Sequence, residues 1–177
     1  MRIFALVLSL ALFACRSEEP ASHGDHAASP QPLPMPTLAE DARVFFVTPS
    51  NGAVVRGPLV DGKVEVKFEM GAKGVAIEPA GEVKDGSGHH HILVDVEDVP
   101  FGVAVPADEK HIHFGKAQTE AVLPLAPGEH RLTLQLADGA HRSYGPELKD
   151  EIRITVEAEE AAEAEKAEEA EDQAEAE

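Results

Sequence analysis

Histidines are the residues of this chain with the clearest potential for chemistry. The sequence has nine, and seven lie between residues 41 and 156: His89, His90, His91, His111, His113, His130 and His141. Two groups have the spacing His-x-His, which on a β-strand places both side chains on one face about 6.5–7 Å apart. Neutral imidazole binds zinc, copper and nickel. The spacing therefore predicts a copper or zinc site at His89, His91, His111 and His113, with His90 and His130 as secondary candidates.

A framework of hydrogen-bonded histidines is the alternative interpretation. Histidines at strand ends often cap sheet edges or bond to loop carbonyls, and no carboxylate lies at a diagnostic metal-ligand spacing. Strand alternation places His90 on the face of Ile92 and Val94, so we expect it to point inward. A buried His90 would then need a hydrogen-bond partner.

A hydrolytic zinc centre is a further alternative, in which an open site is held by three histidines, His89, His91 and His113. Glu120 would act as the base. A serine hydrolase is not indicated, because none of the three serines of this region stands in a GxSxG setting: Ser50, Ser87 and Ser143. The residue types favour binding over catalysis.

The elements that must position these histidines read as β-strands. In VEVKFEM the residues Val64, Val66, Phe68 and Met70 alternate with charged ones, and HRLTLQLAD and EIRITVE repeat that period of two. Gly, Pro and Asn-Gly turns separate the strands. Residues 41–156 are therefore predicted to form one all-β domain, an immunoglobulin-like or cupredoxin-like antiparallel β-sandwich of about seven strands. Two longer segments, 71–88 and 97–117, read as loops, and both adjoin histidines.

The N-terminus has the order of a secretory signal. Arg2 precedes a short apolar run, and LFAC ends at Cys15, the only cysteine. This boundary resembles the lipobox of bacterial lipoproteins, which predicts a signal peptide over 1–14 and a lipidated Cys15. Residues 15–40 are rich in proline and read as a tether. The expected location is a membrane-anchored one facing the periplasm or the cell surface. Selective metal binding is not expected at the HGDH of the tether, His23, Asp25 and His26.

The C-terminus is a low-complexity Ala/Glu tail. Residues 157–177 hold eleven acidic side chains and one lysine, a net charge of −10 within a chain of net charge −18. Like charges three and four residues apart oppose helix formation, so a solvated tail is expected. The acidic balance argues against a nucleic acid as partner. A membrane through the lipid and a metal ion are the expected partners.

Three segments together resemble a known bacterial family. GHHHILVDV (88–96), IHFGKAQTE (112–120) and PGEHRLTLQLAD (127–138) occur in the order found in domain-of-unknown-function family 4399. The resemblance extends from about residue 54 to residue 156 and implies an exported protein. It also implies signature positions at His89–His91, His113, Gln118, Thr119, Glu120 and His130. Two departures concern loop conformation: Ala117 stands where the resemblance implies glycine, and SYGPELKDE replaces a more proline-rich stretch.

Overall fold

Nine β-strands make up nearly half of residues 34–159, the part of the chain that the computed structural model describes. The strands are β1 Arg43–Thr48, β2 Val54–Gly57, β3 Val64–Lys73, β4 Ala76–Ile77, β5 Ser87–Val94, β6 His111–His113, β7 Glu120–Leu125, β8 Gly128–Ala137 and β9 Lys149–Ala158. A 3-10 turn at Pro146–Leu148 precedes β9. The predicted all-β sandwich is confirmed, with more strands than the seven expected because β4 and β6 have only two and three residues.

Several predictions fall outside these described residues. They are the signal peptide, Cys15, the HGDH segment, most of the tether and nearly all of the acidic tail. Between residues 34 and 159, no helix combines the length and the apolar character needed to cross a membrane.

The first sheet has three antiparallel strands in the order β1-β3-β7. Its central strand confirms the predicted alternation, since Val64, Val66 and Phe68 are fully buried and the charged residues between them are exposed. The apolar side of this sheet faces the second sheet and closes one wall of the sandwich.

The second sheet carries most of the histidines. Its order is β2-β9-β8-β5-β4. Strand β6 pairs with the same edge of β5 as β4 does, but with residues farther along that strand. The long strands β5, β8 and β9 are antiparallel, whereas β2–β9 and β4–β5 are parallel. The sequence predicts an antiparallel sandwich, but the second sheet is mixed because two short strands, β2 and β4, pair in parallel with their neighbours.

The main core lies between the two sheets. Side chains from both contribute to it, among them Phe68, Met70, Ile92, Leu132, Leu134, Leu136, Ile152 and Ile154. Burial of apolar area on this scale is the principal force that holds the sheets together.

A second, smaller core covers the outer face of the second sheet. Leu93 and Ala137 of the sheet pack there with Val99 and Val105 of the segment that follows β5. Buried Gln135 fastens this segment, because its side chain accepts a hydrogen bond from the Val99 amide at 2.9 Å and donates one to the Val99 carbonyl at 2.8 Å. The predicted loops 71–88 and 97–117 each contain a short strand, β4 and β6, because a few residues of each pair with the edge of β5. The part of the second segment with Val99 and Val105 covers the outer face of β5 at Leu93.

Candidate metal centre

Strand β5, with the sequence SGHHHILV, carries the three consecutive histidines. Gly88 allows the close approach of β8, since a Cβ at this position would lie 2.6 Å from the Ala137 carbonyl oxygen. Alternation then divides the side chains between the two faces of the sheet. His90 and Ile92 face the main core, whereas His89 and His91 lie on the outer face.

Strand β6 brings a further histidine to the same place. His113 pairs directly with His91 across the antiparallel ladder, and the two rings stack with centroids 5.1 Å apart and an interplanar angle of 27°. His89 and His91 are completely buried, but His113 is exposed. The histidines of the two strands therefore run from the interior of the domain to its surface.

His141 reaches the group from the turn that follows β8. Buried Asp138 organises this turn: its Oδ1 accepts hydrogen bonds from the backbone amides of Ala140 and Arg142 at 2.9 Å each. Its Oδ2 pairs with the guanidinium of Arg142 at 2.6 Å. His141 itself has a φ of 66°, a left-handed conformation that is uncommon outside glycine but in which histidine is found more often than most residues.

Three imidazoles have the proximity that a single ion requires. One ring nitrogen from each of His89, His113 and His141 lies within 4.8 Å of the other two. The Nε2 atoms of His113 and His141 are 3.1 Å apart, within hydrogen-bond distance of each other. That separation is close to the edge of a tetrahedron of nitrogens, about 3.3 Å for metal–nitrogen bonds of 2.0–2.1 Å. We call His89, His91, His113 and His141 the histidine cluster.

Three ring nitrogens of the two buried cluster histidines are unpartnered among residues 34–159. Within the part of the chain that the structure describes, neither ring nitrogen of His89 has a hydrogen-bond partner, and nor does Nδ1 of His91. Burial, followed by repulsion from neighbouring cluster histidines, lowers the pKa of His89 to about 4 and that of His91 to about 2. Burial and then His141 also lower the pKa of His113. These rings are neutral at pH 7, and a neutral ring is the form that binds metal.

Two histidines predicted for the site are used elsewhere. His111 Nδ1 shares a hydrogen bond with Asp108 Oδ1 at 2.8 Å, and its place in the ladder is opposite Leu93. His130 lies near the other end of β8, where Nδ1 meets Asp95 Oδ2 and Nε2 meets the Ala126 carbonyl, both at 2.8 Å. The structure brings neither of them into the histidine cluster.

His90 is a different case, because it points into the main core as the alternation predicts. Both of its ring nitrogens are buried without a hydrogen-bond partner among residues 34–159, so the expected partner is not found there. Burial lowers its pKa to about 4. His90 is therefore a neutral buried ring with no role at the histidine cluster.

A surface groove of about 480 Å³ lies away from the histidine cluster. Its lining includes His130 and residues of β8 and β9, such as Glu129 and Arg153. The groove lies near the start of β8, whereas the histidine cluster lies near its end. The side chains of the histidine cluster are therefore not in the groove.

Comparison with known proteins shows the family to which this sequence belongs. The sequence profile of a domain of unknown function, DUF4399, matches residues 68–157. The chain belongs to this family. The match includes β5, β6 and the turn after β8, so every member of the histidine cluster lies inside the DUF4399 domain. A search of curated proteins found no match to the chain.

Two other positions that the resemblance implies, Gln118 and Thr119, have hydrogen-bond partners. The side chain of Gln118 accepts a hydrogen bond from the Lys116 amide at 2.8 Å, and the Thr119 carbonyl accepts one from Met70 at 2.8 Å. Ala117, which lies between Lys116 and Gln118, has a φ of 59°, in the region that favours glycine. This explains physically why the resemblance implies glycine at that position.

His141 was not among the ligands predicted from the sequence. The stretch ADGAH reads as a turn, and the spacing of histidines along β5 or β6 gives no information about a residue in a turn that follows a different strand. A usable signal was present: a histidine directly follows the turn of the strand that pairs with β5. Its proximity to His89 became visible only once that pairing was known.

Proposed function

We propose that the DUF4399 domain of this chain is a transition-metal-binding module, which holds one copper or zinc ion through His89, His113 and His141. The observation that carries this proposal is the fully buried His89, whose two ring nitrogens have no partner among residues 34–159 while two further imidazoles stand beside it. An unsatisfied buried polar group costs about 1–3 kcal/mol. A bound ion would remove part of that cost, which favours the loaded form.

The alternative of a hydrogen-bonded framework is supported at other positions. His130 has an acceptor at each ring nitrogen, and His111 has the Asp108 carboxylate. A framework histidine in this domain therefore has a visible partner. Both ring nitrogens of His89 and Nδ1 of His91 lack such partners within the described chain, so the framework interpretation does not account for His89.

A hydrolytic centre has less support than a binding site. Glu120, the candidate base, belongs to the first sheet and faces Lys67 with its carboxylate, 3.8 Å from Nζ. Asp138 is close to the histidine cluster, but its oxygens are committed to Arg142 and to two backbone amides. Neither carboxylate is placed to activate a water on the ion.

Calorimetric titration of the tag-free full chain with Zn(II) and with Cu(II) tests the proposal. We expect one tight site, which is lost in the double variant His113→Ala/His141→Ala. Both residues reach the surface, so the fold should survive the change. The matched control is His111→Ala/His130→Ala, which removes two histidines from outside the cluster. Both variants keep the acidic tail, so weak binding by carboxylates is common to all titrations. Equal metal binding by the two variants would refute the site.

We further propose that this module is exported and lipid-anchored through Cys15. The support is the signal-like N-terminus that ends in LFAC and the proline-rich segment behind it. In a bacterial host, the wild-type chain should fractionate with membranes and Cys15→Ser should not. A membrane-bound Cys15→Ser protein, with no lipid on the wild-type N-terminus, would contradict the anchor.

A further inference from the structure

The four rings of the histidine cluster have a regular arrangement in space. Their six centroid separations are 4.8, 5.0, 5.0, 5.1, 6.1 and 4.7 Å. Five of them fall within a narrow range, and only the pair His91–His141 is longer. The ring centroids of four side chains from β5, β6 and the turn after β8 therefore surround one point, and the ligand atoms of His89, His113 and His141 lie within 4.8 Å of one another.

These separations match four imidazoles around a tetrahedral ion. With metal–nitrogen bonds of 2.0–2.1 Å, each ring centroid lies about 3.2 Å from the ion, and four such centroids are about 5.2 Å from one another. A flat arrangement does not fit. If the four centroids lay in one plane and the other five separations stayed near 5 Å, the centroids of His91 and His141 would be about 8.5 Å apart. They are 6.1 Å apart.

We propose that His91 is the fourth ligand of a closed tetrahedral four-histidine centre, which takes a d10 ion, Zn(II) or Cu(I). This inference rests on the proposed function, because it assumes that the other three histidines bind the ion. His91 is buried, and its Nδ1 has no partner within the chain segment 34–159. It stands about as far from His89 and His113 as those two stand from each other.

The donor set and its geometry determine the class of ion. Four nitrogens without thiolate or carboxylate suit zinc and copper, and a non-planar set disfavours Cu(II) and Ni(II), which prefer square-planar coordination. A d10 ion has no such geometric preference and accepts the tetrahedron. Four protein ligands also leave no open position for a water, so the centre would hold its ion rather than use it to activate a substrate.

Co(II) is a suitable probe, because its visible absorption is intense in tetrahedral sites and weak in sites of higher coordination. The tag-free full chain loaded with Co(II) should show the intense band, and azide should leave the band unchanged. His91→Phe removes the ligand and retains an aromatic ring. We expect this variant to bind Zn(II) more than about 100-fold more weakly, beyond the usual effect of losing a residue that only orients a ligand.

His90→Phe is the matched control, since it makes the same change at the adjacent buried position on the other face of β5. It should keep the affinity and the Co(II) spectrum of the wild type. Circular dichroism checks that both variants fold, and His91→Leu replaces His91→Phe if the larger ring is not tolerated. Titration with Cu(I) under anaerobic, reducing conditions, beside Zn(II), shows which of the two d10 ions binds more tightly.

The outcomes separate this inference from the proposal beneath it. If the wild type binds metal but azide changes the Co(II) band, or if His91→Phe binds like the wild type, the centre has three histidines and an open position. The fourth-ligand inference is then overturned and the metal site stands. If the wild type binds none of these ions, both fail.

Discussion

The two ends of strand β8 hold histidines in opposite situations. Near its start, His130 has a hydrogen-bonding group at each ring nitrogen. Beyond its end, the turn that carries His141 completes a group in which His89 has none within residues 34–159. Histidine thus has both ring nitrogens hydrogen-bonded at one end of β8, whereas at the other end both nitrogens of His89 lack a partner within residues 34–159.

The difference teaches how to distinguish the two uses. Number and spacing do not separate them, because His111 and His113 have the same His-x-His pattern and only His113 enters the cluster. Unpartnered ring nitrogens beside other imidazoles do. His90 is also buried without partners among residues 34–159, but His89 in addition has two histidines whose ring nitrogens lie within 4.8 Å. Four changes would break or sharpen this comparison.

Acid should have the largest effect, and it should act through the unpartnered histidines. An unfolded histidine titrates near 6.5, whereas the pKa values of His89 and His90 are about 4 and that of His91 is about 2 in the fold. Below pH 6.5 the unfolded chain takes up protons that the folded chain cannot, so folding stability decreases as the pH falls. Each histidine contributes about 1.4 kcal/mol per pH unit until its folded pKa is reached.

Urea unfolding of the metal-free protein at pH 7.5, 6 and 5 measures this dependence. His90→Leu should reduce the slope between pH 6 and pH 5 by one of the three contributions and leave metal affinity unchanged. A free energy of unfolding that is constant from pH 7.5 to pH 5 would show that the buried rings are not neutral and unpartnered in solution.

Asp138→Asn should be the next largest in effect. It removes the carboxylate that pairs with the Arg142 guanidinium in a mostly buried position, and breaking such a pair costs about 3 kcal/mol. The turn that carries His141 should loosen, so metal affinity should fall as well. Asp108→Asn is the control from the framework region, because it alters the partner of His111 and should leave metal affinity intact. Chemical unfolding and metal titration of both variants provide the comparison, which fails if Asp108→Asn reduces metal affinity equally.

His130→Ala should lower stability without affecting metal binding. Two hydrogen bonds are lost, and we expect a decrease of about 1–2 kcal/mol in the free energy of unfolding. His113→Ala should do the reverse, with little change in the stability of the metal-free protein and a large loss of metal affinity. Reversed results would show that the two regions have been assigned the wrong way round.

Gly115→Ala should produce the smallest change, and it acts on one ring. A Cβ at Gly115 would overlap the His113 imidazole, so the ring must move away from its place in the cluster. We expect about a tenfold loss of metal affinity, equivalent to about 1.4 kcal/mol. In a His113→Ala background the same substitution should have no further effect, and an additional loss there would mean that Gly115 acts by another route.

Much of the fold was predictable because period-two alternation is a local property. The buried Val64, Val66 and Phe68 of β3 follow directly from it, and so does the inward direction of His90. The two parallel pairings were not predictable, since they depend on which distant segments meet. The same holds for the cover over β5, whose apolar residues Val99 and Val105 show no strand pattern.

The candidate site was predicted in part for the same reason. Spacing along one strand identified His89 and His91 as neighbours and placed His113 near them. It also included His111, which lies outside the cluster because two residues along β6 move the side chain about 7 Å, to a place opposite Leu93. His141 depends on a turn stabilised by Asp138, and no local spacing reports where such a turn points.

Strand β6 has only three residues, and this gives a bound ion a mechanical role. His89, His113 and His141 are separated by 24 and 28 residues in the chain, so an ion held by all three would cross-link distant segments. Such a link closes two long loops and reduces the freedom of the unfolded chain. The short strand could then not peel away from β5 before the ion dissociates. Metal release, rather than strand separation, would set the lifetime of the folded domain.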